Sequence, residues 1–321
     1  MLSRNEKSYQ ATAYVLLLIT TIVWAGTWPL GRWLVSESIG GETIPPMMIA
    51  LVRYLIVAPV ILILLRLKEG TLNVGFVKLH WKFFCFLGII SVTIYQAGYL
   101  IGEFYTSASD AVIIISSQPL IVLILASAVF KIEELNLKKL FGTLLSFSGI
   151  LLVFIFSPNT SVLNRVLGNI LIFVAAISYS VYLVASRRFI NENTGLSKTF
   201  SPSSLYIVSW VSFFGMITLL PVSLTVHPEY LANPVLFLQI PSRVWFGILY
   251  LALLSSIIGY WFYLEGIKRL SASRAVIFQN LVPIFGVILS VILLGEVFDV
   301  LIHGSSITLI ISGITLVNRE K

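Results

Sequence analysis

The chain has 321 residues, of which 58% are hydrophobic and only 11% charged, with a mean hydropathy of +0.97. A soluble domain carries about 25% charge, so the composition sets aside a water-soluble fold and points to a polytopic membrane protein. The net charge of +7 would suit an anionic partner, but its placement follows membrane topology, and no nucleic-acid partner is expected. The single cysteine, Cys85, excludes an intrachain disulfide, and His80, His227 and His303 lack metal-ligand spacing, so neither metal nor cofactor is expected.

Arg4 and Lys7 precede an apolar run that is too long for a signal peptide and is followed by no small-residue cleavage site, so it stays as the first span. Crossing the hydrocarbon core takes about 20 apolar residues, and only helices or closed barrels satisfy their backbone there. The runs here are too continuous for barrel strands. They predict helices at 11–35, 45–66, 81–104, 109–130, 137–156, 166–189, 203–223, 243–266, 272–294 and 303–318. The expected fold is an all-α integral membrane protein with ten transmembrane helices. The longest connections, 190–202 and 224–242, are expected to form no domain of their own.

Orientation follows from Lys and Arg. With both termini cytoplasmic, 17 of the 21 basic residues fall on the inner side, with Arg32, Arg165 and Arg243 outside and Arg53 within a span. Glu37, Glu42, Glu229, Glu296 and Asp299 fall outside. The expected location is the cell (inner) membrane.

A repeat organises the chain. Residues 99–113 (YLIGEFYTSASDAVI) and 263–277 (YLEGIKRLSASRAVI) share nine of fifteen positions at an offset of 164, and the register pairs Pro119 with Pro283. Five predicted spans separate the two Ser-Ala-Ser turns, so one turn faces out and the other in. The halves are expected to be inverted five-helix repeats, a common plan of secondary transporters. The divisions are a cytoplasmic tail at 1–10, a first repeat at 11–156, an external linker at 157–165, a second repeat at 166–318 and a tail at 319–321.

These features resemble the drug/metabolite transporter superfamily, in its EamA-like branch of ten-span proteins. The resemblance rests on Trp24-Ala25-Gly26, Arg53, Ser107-Ala108-Ser109 before Pro119, Ser271-Ala272-Ser273 before Pro283, and Gly295-Glu296. Glu133 falls where the first repeat's acidic position belongs, although Lys131-Ile132 replaces the usual Leu-Gly before it. The resemblance implies a transporter, most often an exporter of amino acids and other small metabolites.

Several residues are candidates for a substrate site. Trp24 and Trp28, Tyr95 and Tyr99, Tyr179 and Tyr182, and Tyr260 and Tyr263 are aromatic residues of spans 1, 3, 6 and 8. They suit cavity lining or simple packing, since a deep hydroxyl needs a partner. Gln96, Ser117, Gln118, Gln279 and Asn280 add amides and a hydroxyl, where interhelical bonding competes with substrate contact. Pro119 and Pro283 should kink spans 4 and 9 by freeing the carbonyls of Ile115 and Gln279. Arg53 lies about 12 Å into span 2, as a substrate ligand or as a brace for those carbonyls. Glu103 and Glu265 are expected as solvated or paired end charges, and as the candidates should proton coupling exist. Ser107-x-x-Asp110 has the form of a capping box. Small-residue stripes at Gly142/Ser146/Gly149 and Gly304/Thr308/Ser312 permit close packing or a dimer face.

The expected activity is secondary transport of neutral or zwitterionic metabolites by alternating access. A passive pore or lipid scramblase is the alternative. An enzyme is not expected: no phosphate-binding loop, His-Glu-x-x-His or Gly-x-Ser-x-Gly pattern is present. The expected partners are the bilayer, a small-molecule substrate and, if transport is coupled, a proton, in a monomer or homodimer.

Overall fold

The computed structural model describes residues 4–37, 41, 44–130, 137–157, 164–193, 200–263, 278 and 281–318. Eight helices in this set are long and apolar enough to cross a membrane. They are α1 (Arg4–Val35), α2 (Pro46–Glu69), α3 (Trp81–Tyr105), α4 (Ala108–Val129), α5 (Leu137–Phe156), α6 (Arg165–Asn193), α7 (Ser204–Val226) and α8 (Ser242–Tyr263). Two shorter apolar helices follow, α9 (Val282–Leu294) and α10 (Val300–Leu316). No strand occurs among the described residues. The first eight expected spans coincide with these eight helices, and the two shorter helices fall within the last two expected spans or overlap them. The 224–242 connection carries two short helical turns, Pro228–Ala232 and Pro234–Phe237.

Helix ends follow local chemistry. Gly70 (φ 71°) and Gly295 (φ 65°) adopt the left-handed conformation that closes α2 and α9, and each N–H returns to a carbonyl of the last turn. Ser107 caps α4 by accepting the Asp110 N–H at 3.1 Å. The reciprocal arm of the expected capping box is not made, because the Asp110 carboxylate turns to Ser157 and Arg165 instead.

The described hydrogen bonds next to the two prolines match. In α4 the helix ends at Ile115 and restarts at Gln118, with Ser117 N–H donating to Ile114 O at 3.1 Å and Ile121 N–H to Ser117 O at 3.1 Å. Before α9, Leu281 N–H donates to Phe278 O at 3.1 Å and Phe285 N–H to Leu281 O at 3.0 Å. The second set repeats the first at the offset of 164 seen in the sequence.

In lipid the helices gain little from hydrophobic burial, so close packing at small residues holds them together. Extensive pairs include α5–α10, α3–α6, α3–α7, α2–α7, α4–α6 and α1–α9. In α5–α10, Ser146 Oγ donates to Ile310 O at 3.1 Å and Ser306 Oγ to Gly149 O at 2.8 Å. Gly142, Ser146 and Gly149 thus pack within the bundle as the first stripe implied. The stripe expected on α10 does not pack within the bundle, which leaves its dimer-face alternative untouched. Ser306, Ile310 and Gly313 face α5, whereas Thr308 and Ser312 are exposed, because at 3.6 residues per turn a shift of two residues turns to the opposite face.

Charged groups tie the ends that were read as external. Arg32 was expected as an outer charge, yet it is 2% exposed and donates to the carbonyls of Glu103 and Phe104. Arg165 does the same for Val153 and Phe154 at 2.7 and 3.1 Å. Each closes a helix C-terminus, where carbonyls lack intrahelical donors and a cation is favoured. Glu296 serves the opposite polarity. Its carboxylate accepts from Ala108 N–H, Ser109 N–H and the Ser109 hydroxyl at 2.8, 2.9 and 2.6 Å, at the N-terminus of α4.

Candidate functional site

Four helices bring their aromatic side chains into one linked cluster. On α1, Trp24 meets Tyr260 and Tyr263 of α8, with ring centroids at 5.5 and 5.2 Å. The Tyr260 hydroxyl contacts the Tyr179 hydroxyl of α6. Tyr179 lies 5.1 Å from Tyr95 of α3 and 5.2 Å from Tyr182. Tyr95 stacks on Tyr99 at 6.2 Å, and Tyr99 makes an edge contact with Trp28 at 5.1 Å. All eight aromatic candidates belong to this chain of contacts. Trp24, Tyr95, Tyr179, Tyr260 and Tyr263 remain half-buried, whereas Trp28, Tyr99 and Tyr182 are buried. Helical periodicity explains the pairs within one helix; the fold joins the pairs to each other.

Arg53 sits at one side of the cluster and is 6% exposed. Its Nε and Nη2 donate to the Ser256 hydroxyl at 3.2 and 2.9 Å, and Nη1 donates to Gln96 Oε1 at 3.3 Å. Gln96 Nε2 in turn donates to the Tyr54 hydroxyl at 3.4 Å. The Ile115 carbonyl does not take the guanidinium, as the brace reading required, and Gln279, the other residue of that reading, lies outside the described residues. Among the described residues Arg53 has no carboxylate partner. Three of its five N–H donors are taken by neutral oxygens and the positive charge is unmatched.

Ser256 reaches Arg53 from a locally widened helix. Residues Tyr250–Ile258 of α8 form π-type turns, a feature found often at functional sites. The widening leaves the Ser255 carbonyl to accept Trp24 Nε1–H at 3.1 Å, while the Ser255 hydroxyl accepts from Thr27 at 3.0 Å. Ser255, Ser256, Tyr54 and Thr27 were missed by sequence reasoning. Two adjacent serines in the middle of an apolar run were the available signal.

The remaining candidates divide. Ser117 is fully buried and its hydroxyl donates to Ile114 O at 2.7 Å, so it serves its own turn. Gln118 is half-buried at the break, and its carbonyl accepts from Ser180 at 3.4 Å. Pro119 and Pro283 are where the breaks fall. Gln279, Asn280, Glu133, Glu265 and the second Ser-Ala-Ser turn lie outside the described residues.

A bundle with eight helices long and apolar enough to cross a membrane, and a half-buried aromatic cluster beside one buried guanidinium, has the architecture of a polytopic membrane transporter. The comparisons are specific about which. The EamA-like transporter family matches residues 11–155 and 166–319. The chain belongs to the EamA-like transporter family, within the drug/metabolite transporter superfamily that the sequence motifs resemble. It is 29% identical over 279 residues to "Uncharacterized transporter YyaM" of Bacillus subtilis (strain 168), covering 86% of this chain and 84% of that one. It is 27% identical over 322 residues to "Uncharacterized transporter YetK" of the same organism, covering 97% and 89%. A protein of Salmonella typhimurium named "Probable amino-acid metabolite efflux pump" is 24% identical over 285 residues, covering 88% and 86%. A solved crystal structure superposes with a TM-score of 0.57 at 19% identity, covering 95% of this chain and 96% of that one, which shows the shared fold.

Proposed function

We propose that the protein is a secondary carrier that exports small zwitterionic metabolites such as amino acids, with the carboxylate of the cargo taken by Arg53. The observation that carries this reading is the unmatched guanidinium. A buried cation held, among the described residues, only by Ser256 and Gln96 is costly in a membrane interior, and an incoming carboxylate would offset that cost with charge-assisted bonds. The half-buried tyrosines and Trp24 offer apolar and polar surface to the rest of such a cargo. The name of the Salmonella relative is consistent with this class.

Alternating access between two inverted five-helix halves fits the packing. Exchanging the halves maps α2–α7 and α5–α10 onto themselves, α3–α6 onto α8–α1, and α1–α9 onto α6–α4, and all of these pairs are in contact. The matching proline breaks and the two family matches support the same symmetry. In this reading α9 and α10 complete ten spans, and the Lys/Arg bias places both termini in the cytoplasm of an inner membrane.

Counterflow tests the proposal. Proteoliposomes loaded with unlabelled amino acids should transiently accumulate a labelled amino-acid mixture, saturably and only with protein present. A linear, unsaturable leak would make the protein a pore, the alternative that sequence left open.

A further inference from the structure

The half-buried rings of the aromatic cluster fall into two groups. Trp24 meets Tyr260 and Tyr263 with planes tilted by 65° and 46°, and Tyr95 meets Tyr179 at 45°. None of these three contacts is a face-to-face stack, so the electron-rich faces are not spent on one another. The Tyr179 and Tyr260 hydroxyls join the two groups and hold the tilt of their rings. The Tyr95 hydroxyl has no hydrogen-bond partner among the described residues. Together the five rings make an aromatic box.

The box offers ring faces but few hydrogen-bond acceptors. Neighbouring carbonyls on α1 and α8 are taken by the protein's own donors: Ser255 O by Trp24 Nε1–H at 3.1 Å, Val23 O by the Tyr250 hydroxyl at 2.9 Å, and Thr27 O by the Tyr99 hydroxyl at 2.9 Å. On α3 the carboxyl nearest to Tyr95 in sequence is that of Glu103, about 12 Å further along the helix. Glu103 was expected as a solvated or paired end charge, yet it is 0% exposed and lies over Gly31 of α1, in space that a Cβ would fill. A primary ammonium brings three N–H donors, and each one left unpaired in a dry site is costly. A quaternary ammonium brings none, and is held instead by ring faces within about 6 Å of their centroids.

We propose that this box binds the cationic end of the cargo and selects N-methylated zwitterions, the trimethylammonium carboxylates, over primary amino acids. The inference rests on the carrier reading above, in which Arg53 takes the carboxylate. Both ends of the cargo are served from adjoining positions. Arg53 bonds to Gln96, the residue after Tyr95, and to Ser256, which lies one turn, about 6 Å, before Tyr260 on α8. A cargo whose ammonium and carboxylate are separated by a single methylene reaches both.

Direct binding to the purified full-length protein in detergent tests this without requiring flux. Labelled glycine betaine, followed by equilibrium dialysis, should bind saturably. Its uncharged isostere tert-butylacetate keeps the shape and the carboxylate and should compete at least thirtyfold more weakly, and glycine at least tenfold more weakly. Tyr95→Phe keeps the ring face and should bind within twofold of wild type, whereas Tyr95→Leu and Trp24→Leu should each lose at least tenfold. Equal competition by tert-butylacetate or by glycine overturns the box, as does the absence of saturable binding. Those comparisons are made on wild type, so they decide the matter even where a leucine variant does not fold. Choline, which lacks the carboxylate, tests the other end. It should bind at least tenfold more weakly, and equal binding would overturn the carboxylate reading of Arg53 while leaving the box. Counterflow of amino acids without binding of glycine betaine would overturn the box and leave the carrier.

Discussion

Arg53 directs two of its nitrogens, Nε and Nη2, at the one hydroxyl of Ser256, 203 residues away in the chain. The pair links α2 to the widened part of α8, the helix that carries Tyr260 and Tyr263. Arg53→Gln should therefore abolish binding of carboxylate-bearing cargo. Truncating a buried charged hydrogen-bonding group costs about 2–5 kcal/mol in other systems, so competition in counterflow should weaken at least thirtyfold. Thermal unfolding in detergent should change little. A collapse of stability with unaltered selectivity would instead assign Arg53 to structure. Ser256→Ala should be milder, about 1–3 kcal/mol, because one acceptor is lost while the charge remains.

The contact between Tyr179 and Tyr260 joins α6 to α8 at the aromatic cluster. Tyr179→Phe keeps the ring against Tyr95 and removes only the hydroxyl. Folded yield should be nearly unchanged and stability should fall by about 1 kcal/mol. The transport Km should rise, as read by saturation of counterflow. Trp24→Phe removes the bond to Ser255 O at 3.1 Å and should act in the same direction. A large loss of folded protein in both would mean that the cluster is core.

The α5–α10 contact predicts opposite outcomes for two glycines. A Cβ on Gly149 would lie 2.8 Å from the Ser306 carbonyl, which is backbone and cannot swing away. Gly149→Ala should lower the unfolding midpoint by an amount corresponding to about 1–3 kcal/mol. Gly304 has open space, with only Val300 at 3.9 Å. Gly304→Ala should be neutral or slightly stabilising in the same thermal assay.

Glu296 satisfies three donors at the start of α4. Glu296→Ala leaves the Ala108 and Ser109 N–H groups without their acceptor and removes an anion from a helix N-terminus. The expected loss is about 1–3 kcal/mol, with Glu296→Gln intermediate. Unfolding in detergent, followed by helical circular dichroism, checks this order.

What the sequence made legible has a physical pattern. Span positions came from apolar runs, because a bilayer imposes length and continuity. The repeat came from identities around Tyr99 and Tyr263, and the proline breaks came from the missing N–H at Pro119 and Pro283. The aromatic candidates were legible as pairs on single helices; their union required the packing of α1, α3, α6 and α8. Long-range polar partners were not legible. His303 Nδ1 accepts the Asp299 N–H at 3.0 Å, which leaves its proton on Nε2, 3.4 Å from Asp110. Nothing in a period or a local motif links positions 110 and 303. Glu103 was misread for a related reason. Its burial depends on Gly31 of another helix, whereas its own neighbourhood in sequence looks like an ordinary helix end.

The most direct test of a carboxylate held by Arg53 compares competitors that differ in that group alone. For the amino acid best transported in counterflow, the unlabelled acid should abolish labelled uptake, whereas its carboxamide should compete at least thirtyfold more weakly. In Arg53→Gln that difference should vanish. Equal competition by acid and amide in the wild-type protein would contradict a carboxylate site at Arg53.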